Sequence, residues 1–208
     1  MVQIMFTPSH FEIPESESLK LIKEISFGQI MVIHEGKIIQ AFIPFELDVD
    51  EMCLYGHAAK KNSLLEGLDG FSKVIINFLG GHAYISPNWY LKPDQVPTWN
   101  YQAIEVEGIA TTLNSEETLK VITRLSNIHE SQFDTPWTMD KLPEKKTDAM
   151  LHAIVGFKID ISKISGQSKM SQNKDQKNKN SVIDGLRSQD NCTDRKVAEI
   201  MNNTTSLS

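Results

Sequence analysis

The stretch Gly80–Tyr101 constrains the fold of this chain more than any other, because it concentrates rigid and planar residues. It holds two of the three tryptophans, three of the four tyrosines and three prolines. Proline cannot donate a hydrogen bond to a neighbouring strand, so Pro87 and Pro97 are predicted to bracket a loop at a strand end. The aromatic rings could stack on a planar ligand or close the rim of a hydrophobic core, and composition by itself favours the core.

The overall composition is that of a globular protein with one well-buried core, or one core with a small appendage. The chain has 208 residues, of which 40% are hydrophobic and 23% charged. A formal net charge of -6 argues against broad non-specific binding of nucleic acid, although a local basic patch could still contact DNA. No apolar run reaches the roughly 18 residues of a membrane span, and the N-terminus lacks a secretory signal. We therefore expect a cytoplasmic protein without a membrane partner.

The cysteines and histidines match no metal-binding pattern. Cys53 and Cys192 are far apart, and no H-E-x-x-H occurs. We predict no metal site. Cys53 lies in an apolar, strand-like run, which indicates a buried, reduced thiol.

Hydrophobic periodicity and turn residues predict short strands with interspersed helices, without βαβ alternation. Helices are predicted at Ser16–Ser26, Lys60–Leu68, Ser115–His129, Glu144–His152, Ser181–Arg187 and Asp194–Met201. Strands are predicted at Gln29–His34, Lys37–Phe42, Met52–Ala58, Lys73–Leu79, Ala83–Ser86, Trp99–Thr112 and Ala153–Ile161. Between them we predict tight turns at Glu35-Gly36 and Gly80-Gly81, and an acidic loop at Glu46–Glu51. This order indicates an α+β fold with a mainly antiparallel sheet and peripheral helices.

Two blocks are rich in hydrogen-bond donors. In the first, a strand ending at His57 and a helix starting near Lys60 would present backbone N–H groups, a lysine charge and Asn62 to a phosphate. Basic residues at a helix start are also often merely solvated. In the second, Lys169–Asn173 packs one cation, one hydroxyl and two amides into five residues. Such donors suit a phosphate or the edge of a ring. Alternatively, the side-chain amides form hydrogen bonds with backbone groups of the same turn.

Five blocks in order resemble the PaiB family, described as FMN-binding negative transcriptional regulators. His82–Tyr90 (HAYISPNWY) and Val96–Tyr101 (VPTWNY) carry the main signature. Gly56–Asn62 (GHAAKKN) is similar to the family's G-H-x-A-[RK]-x-N. Ala153–Phe157 (AIVGF) and Gly166–Asn173 (GQSKMSQN) resemble its A-I-V-G-[FI] and G-K-x-K-[LM]-S-Q-N.

The resemblance implies a split β-barrel of the flavin-binding type that binds FMN and forms a homodimer. It divides the chain into a split-barrel domain at residues 1–165 and a loop with a helical extension of the same domain at residues 166–208. The expected function is negative transcriptional regulation. A flavin-dependent oxidoreductase and a split-barrel dimer without cofactor remain alternatives. No catalytic residue is assigned, because in an enzyme of this kind the flavin would supply the redox chemistry.

The resemblance also assigns the cofactor-binding residues, which are His57, Lys60, Asn62, Trp99, Tyr101, Lys169, Ser171, Gln172 and Asn173. We expect the homodimer interface to lie on barrel strands, and Lys60 and Lys169 to face one anion site. Strand alternation puts Trp99 and Tyr101 on one face, which we expect to border the cofactor. Asn100 then lies on the opposite face, where it would fasten the neighbouring loop.

Two positions depart from the family pattern. Phe42 stands where relatives commonly have a histidine, which removes a donor and a titratable group. Gln167 replaces the lysine that follows Gly166 in the pattern, which removes one positive charge.

Overall fold

A computed structural model describes residues 5–92 and 94–205 of the chain. The helices are α1 (Glu15–Ile25), α2 (Ser115–Glu130), α3 (Glu144–Ala153), α4 (Gln176–Arg187) and α5 (Cys192–Thr205). The strands are β1 (Glu12–Ile13), β2 (Phe27–His34), β3 (Lys37–Pro44), β4 (Glu46–Asp48), β5 (Cys53–Ala59), β6 (Asp69–Ile85), β7 (Thr98–Thr112) and β8 (Ile154–Lys169). In the described part, no helix is long and apolar enough to cross a membrane.

The strands form one sheet in the order β3-β2-β6-β7-β8-β5-β4, with β1 also paired to β8. The pairs β1–β8, β2–β3, β2–β6, β4–β5 and β5–β8 are antiparallel. The predicted hairpin turn is present: Glu35 and Gly36 have φ values of 48° and 73°, as a two-residue turn that matches the strand twist requires. The predicted α+β class with a mainly antiparallel sheet is confirmed.

The chain divides into two compact units, and the long strands β6, β7 and β8 contribute residues to both. The first unit comprises Met1–Ser18, Leu79–Ile104 and Ser165–Ser208; the second comprises Leu19–Phe78 and Glu105–Ile164. In the second unit the ring of Phe45 meets the edges of Phe78 and Phe157, at centroid distances of 5.7 and 6.3 Å. These three rings are almost fully buried and form the centre of that unit's core.

A separate core in the first unit holds α4 and α5 against the ends of the long strands. It contains the buried side chains Ala83, Ile85, Tyr90, Met170, Val182, Ile183, Leu186, Val197, Ala198 and Met201. Helices that bury one stripe against a sheet gain their stability from such packing. The predicted C-terminal helices are confirmed, and both are longer than expected.

Several local predictions were wrong. The predicted turn at Gly80-Gly81 lies inside strand β6, because the missing side chain of Gly81 makes room for α5: a Cβ there would lie 2.6 Å from Ile200 Cδ1. The predicted acidic loop contains strand β4, which pairs with β5. Helix α2 is capped by Asn114 rather than Ser115, in a reciprocal capping box with Glu117.

Candidate ligand sites

The nine residues assigned from the sequence fall in both units. His57, Lys60 and Asn62 lie in the second unit, and Trp99, Tyr101, Lys169, Ser171, Gln172 and Asn173 lie in the first. The common anion site for Lys60 and Lys169 stays a prediction.

His57 lies on β5, where its backbone pairs with Gly156 of β8. Alternation puts its side chain on the face opposite the buried Leu54 and Ala58. Burial lowers the pKa of the imidazole from its ordinary value of 6.5. The atom Nδ1 is buried and has no hydrogen-bond partner among the described residues. His57 is therefore a neutral ring with an unsatisfied polar atom.

The helix start expected near Lys60 is not formed. Strand β5 continues to Ala59, the chain turns, and a short 3₁₀ helix follows at Ser63–Gly67. The backbone N–H of Lys60 donates to Ala153 O at 2.8 Å, and that of Asn62 donates to Ala59 O at 2.8 Å. The Asn62 side chain accepts from Leu64 N at 3.0 Å. The backbone N–H groups that the sequence predicted to bind a phosphate are therefore already hydrogen-bonded within the protein. The exposed Lys60 ammonium and the Asn62 amide N–H₂ remain available to a ligand.

Lys169 lines a cavity of about 230 Å³ in the first unit. Its other lining residues are His10, Phe11, Tyr90, Val96, Thr98, Asn100, Ser171, Asn173 and Lys174. Lys169 Nζ donates to Thr98 Oγ1 at 2.6 Å, and Lys174 Nζ donates to Gln95 Oε1 at 2.6 Å. An ammonium has three N–H donors, so each lysine keeps donors for a further acceptor. Burial lowers the pKa of Lys169.

The S-Q-N block is held rigidly beside this cavity. Ser171 has a φ of 59°, a left-handed conformation that is uncommon for a residue with a side chain. The Gln172 side chain accepts a hydrogen bond from Met170 N and donates one to Ser168 O. It therefore bonds to the backbone of its own turn, which is the alternative role considered for this block. Ser171 and Asn173 line the cavity, whereas Gln172 does not.

Trp99 lines a different cavity of the first unit, of about 560 Å³. This cavity is lined by His82, Ala83, Tyr84, Ser86, Trp89, Trp99, Gln189, Asn191, Thr193 and Asp194. Trp99 is 53% exposed, so the alternative that buries it in the core is wrong. Its neighbours Thr98 and Asn100 line the Lys169 cavity instead. The structure therefore separates Trp99 from Lys169, on opposite faces of β7.

Sequence reasoning missed several lining residues. Lys174 and His10 belong to the Lys169 cavity, and His82 and Asp194 belong to the Trp99 cavity. Lys174 lies in a stretch that also holds Lys169, Lys177 and Lys179, and this local excess of lysine was a usable signal. Asp194 gave none, because one acidic residue in the first turn of a helix is ordinary.

Comparison with known proteins gives the family. Residues 5–163 match a family described as "Putative FMN-binding domain". The chain belongs to this family. The Bacillus subtilis protein named "Protease synthase and sporulation protein PAI 2" is 34% identical over 200 residues, which cover 95% of this chain and 96% of that protein. The resemblance to the PaiB family is confirmed, and FMN is the cofactor that this membership supports.

Solved structures confirm the split-barrel fold. The flavocytochrome Anf3 from Azotobacter vinelandii matches with a TM-score of 0.59 at 10% identity, over 81% of this chain and 74% of that one. A FAD and heme binding protein from Mycobacterium smegmatis matches with a TM-score of 0.57 at 10% identity, over 81% and 77% of the two chains.

The donors in this structure fit FMN at its phosphate end. A dianionic phosphate needs several N–H and O–H donors, and the Lys169 cavity offers two ammonium groups and the Asn173 amide. When bound, FMN supplies reversible one- and two-electron redox chemistry. The protein's part is to hold the phosphate and to orient the ring.

Proposed function

We propose that this protein is an FMN-binding homodimer that acts as a negative transcriptional regulator. The observation that carries the FMN proposal is the cavity with two lysines, Lys169 and Lys174, whose ammonium groups keep unused N–H donors. In this proposal Lys169 and Asn173 hold the phosphate, and Ser171, whose hydroxyl donates to Asn100 Oδ1, fixes the turn beside it.

The remaining assigned residues enter the proposal in different ways. His57, Lys60 and Asn62 lie in the second unit, and their contact with the cofactor stays what the resemblance implies. Gln172 acts by fixing the turn that presents Ser171. Tyr101 shares its face of β7 with Trp99, opposite the Lys169 cavity, and its contact with the ring stays what the resemblance implies. Trp99 lines the cavity of about 560 Å³. FMN titration of a Trp99 variant, described below, tests its contact with the flavin ring.

The homodimer proposal is supported by an apolar outer face on the second unit. In the β2–β3 pair, Ile33 lies opposite Ile38 and Gln29 lies opposite Phe42. Because side chains alternate along a strand, these four side chains share one face of the sheet with Phe27. Phe27, Ile33, Ile38 and Phe42 are 55%, 65%, 71% and 65% exposed. The face carries exposed apolar side chains at both ends, with the hydrogen-bonded pair Gln29 and Gln40 between them. We assign a second copy of the chain to this surface.

Phe42, which departs from the family pattern, lies on this face. Its ring stacks on Phe27 with centroids 6.1 Å apart and planes at 17°. The substitution of the usual histidine therefore adds apolar area to the proposed interface, and it does not alter either cavity of the first unit.

The regulatory role is supported by the family resemblance and by the name of the Bacillus subtilis relative, which refers to protease synthesis and sporulation. If the protein is a negative regulator, its target transcripts should rise in a strain that lacks it and fall when it is restored. Transcripts that do not change in either direction would contradict this role. Recovery of specific DNA fragments with the immunoprecipitated protein would distinguish direct from indirect action.

Titration with FMN and with riboflavin tests the cofactor proposal, because riboflavin lacks the phosphate. We expect the wild-type protein to prefer FMN. Lys169→Met should weaken FMN binding by about tenfold, as expected for a lost charged hydrogen bond, and leave riboflavin binding unchanged. Lys177→Met is the matched control, since Lys177 is exposed on α4 and does not line the cavity. An unchanged preference for FMN in Lys169→Met would remove the phosphate assignment.

A further inference from the structure

The cavity around Trp99 has a chemistry opposite to that of the Lys169 cavity. Both lie in the first unit, on opposite faces of β7. The Lys169 cavity contains two lysines, whereas the Trp99 cavity contains neither lysine nor arginine. Its one carboxylate belongs to Asp194, in the first turn of α5. A ligand with a negative charge is therefore disfavoured there.

Three aromatic side chains form part of the wall of this cavity. Trp99 and Tyr84 are 53% and 46% exposed, and their rings meet edge to face with centroids 6.0 Å apart and planes at 72°. The third ring, Trp89, packs closely against Gly185 of α4: a Cβ on that glycine would lie 2.4 Å from Trp89 Cγ. The faces of such rings carry a negative electrostatic potential. Together they form an aromatic wall that attracts cations.

Two side chains of the lining, His82 and Asp194, offer acceptor atoms to the cavity. His82 Nδ1 lies 3.0 Å from Gly80 O, which places an N–H on Nδ1 and directs Nε2 to other partners. Asp194 is half-buried and forms no hydrogen bond or ion pair within residues 5–92 and 94–205. A carboxylate without a partner beside an aromatic wall is the combination that recognises ammonium groups.

We propose that this cavity binds an organic cation, a small ammonium compound with an alkyl body. The alkyl groups contact Trp99, Trp89 and Tyr84, and the positive charge faces the Asp194 carboxylate. This site is separate from the phosphate site of the proposed function. A cavity of about 560 Å³ has room for a compound of this class.

Choline is a suitable probe, because 3,3-dimethylbutan-1-ol has nearly the same shape without the charge. Isothermal titration of the full chain with each compound measures the contribution of the charge. We expect choline to bind at least about tenfold more tightly than the alcohol. Equal binding of the two compounds, or no binding of either, would overturn the proposal.

Two variants locate the binding site. Asp194→Asn should weaken choline binding by about tenfold and leave binding of the alcohol unchanged, and Trp99→Leu should weaken both. Asp184→Asn is the matched control, since Asp184 is exposed on α4 and does not line the cavity. Melting curves identify any variant that fails to fold. Choline affinity that stays unchanged in a folded Asp194→Asn protein would overturn the assignment.

The same titrations separate this proposal from the cofactor proposal. Protein saturated with FMN should bind choline as tightly as protein without FMN, and Trp99→Leu should leave FMN affinity unchanged. If FMN excludes choline, or if Trp99→Leu loses FMN affinity, the ring of the cofactor occupies this cavity and the cation site is refuted. Failure of Lys169→Met to affect FMN would instead count against the phosphate site alone.

Discussion

Asn100 and Ser171 are joined side chain to side chain across 71 residues of sequence. The Asn100 amide nitrogen lies 3.0 Å from Ser171 Oγ, and Ser171 Oγ lies 3.2 Å from the Asn100 amide oxygen. Both residues are buried, and Ser171 has a left-handed backbone conformation. This contact fastens the S-Q-N turn to β7, the role expected for Asn100 from strand alternation.

Asn100→Ala should lower the free energy of unfolding by about 1–3 kcal/mol, because it leaves the buried Ser171 hydroxyl without this partner. Denaturant unfolding measures the change. Asn88→Ala in the same unit is exposed and should stay within about 0.5 kcal/mol of the wild type. A double-mutant cycle with Ser171→Ala should give a coupling of at least about 0.5 kcal/mol, and additive effects would contradict the contact.

His57 should make stability depend on pH. Burial holds its folded pKa below 6.5, so the unfolded state binds the proton more readily. The contribution of the neutral ring is therefore present above about pH 6.5 and is lost as the pH falls towards the folded pKa. Between about pH 7.5 and about pH 5.5, a range that spans the ordinary histidine pKa, His57→Gln should lose less stability than the wild type.

Melting temperatures at the two pH values measure this difference. His129→Gln, at the exposed end of α2, is the matched control for the loss of an imidazole. A His57→Gln protein with the same pH dependence as the wild type would show that the buried ring does not titrate with folding.

Gly185→Ala should destabilise the protein although alanine favours helices by about 1 kcal/mol over glycine. The added Cβ would lie 2.4 Å from Trp89 Cγ, so the indole ring must shift. We expect a net loss of about 1–3 kcal/mol. In a Trp89→Leu background the same change should be neutral or stabilising. If Gly185→Ala stabilises the wild type, the packing between Trp89 and α4 is looser than described.

Phe42→Glu should shift the proposed homodimer towards monomer, because it places a charge on the apolar outer face. Sedimentation at micromolar concentration measures the change in mass. Phe133→Glu is the matched control: Phe133 is 56% exposed and Phe42 is 65% exposed, and only Phe42 lies on the β2–β3 face. A wild-type protein that sediments only as monomer would contradict the dimer itself.

Local patterns in the sequence determined most of the elements. Three predicted elements depend only on residues that are close in sequence, and all three are present: the helix at Ser115, the hairpin at Glu35-Gly36 and the strand-end loop between Pro87 and Pro97. The family was also readable, since its motifs are local strings. Alternation along β7 correctly separated Trp99 from Asn100.

Tertiary structure decided what lies on each face of that strand. Lys169 reaches Thr98 from 71 residues away, and Asp194 comes to Trp99 with the first turn of α5. It also decided that Gly81 continues a strand, since α5 needs the space that a side chain would fill. A sequence pattern records the preferences of neighbouring residues, whereas a cavity is formed by segments that meet only when the chain has folded. The separation of Trp99 from Lys169, Ser171 and Asn173 into two cavities therefore follows from packing, and no local motif encodes it.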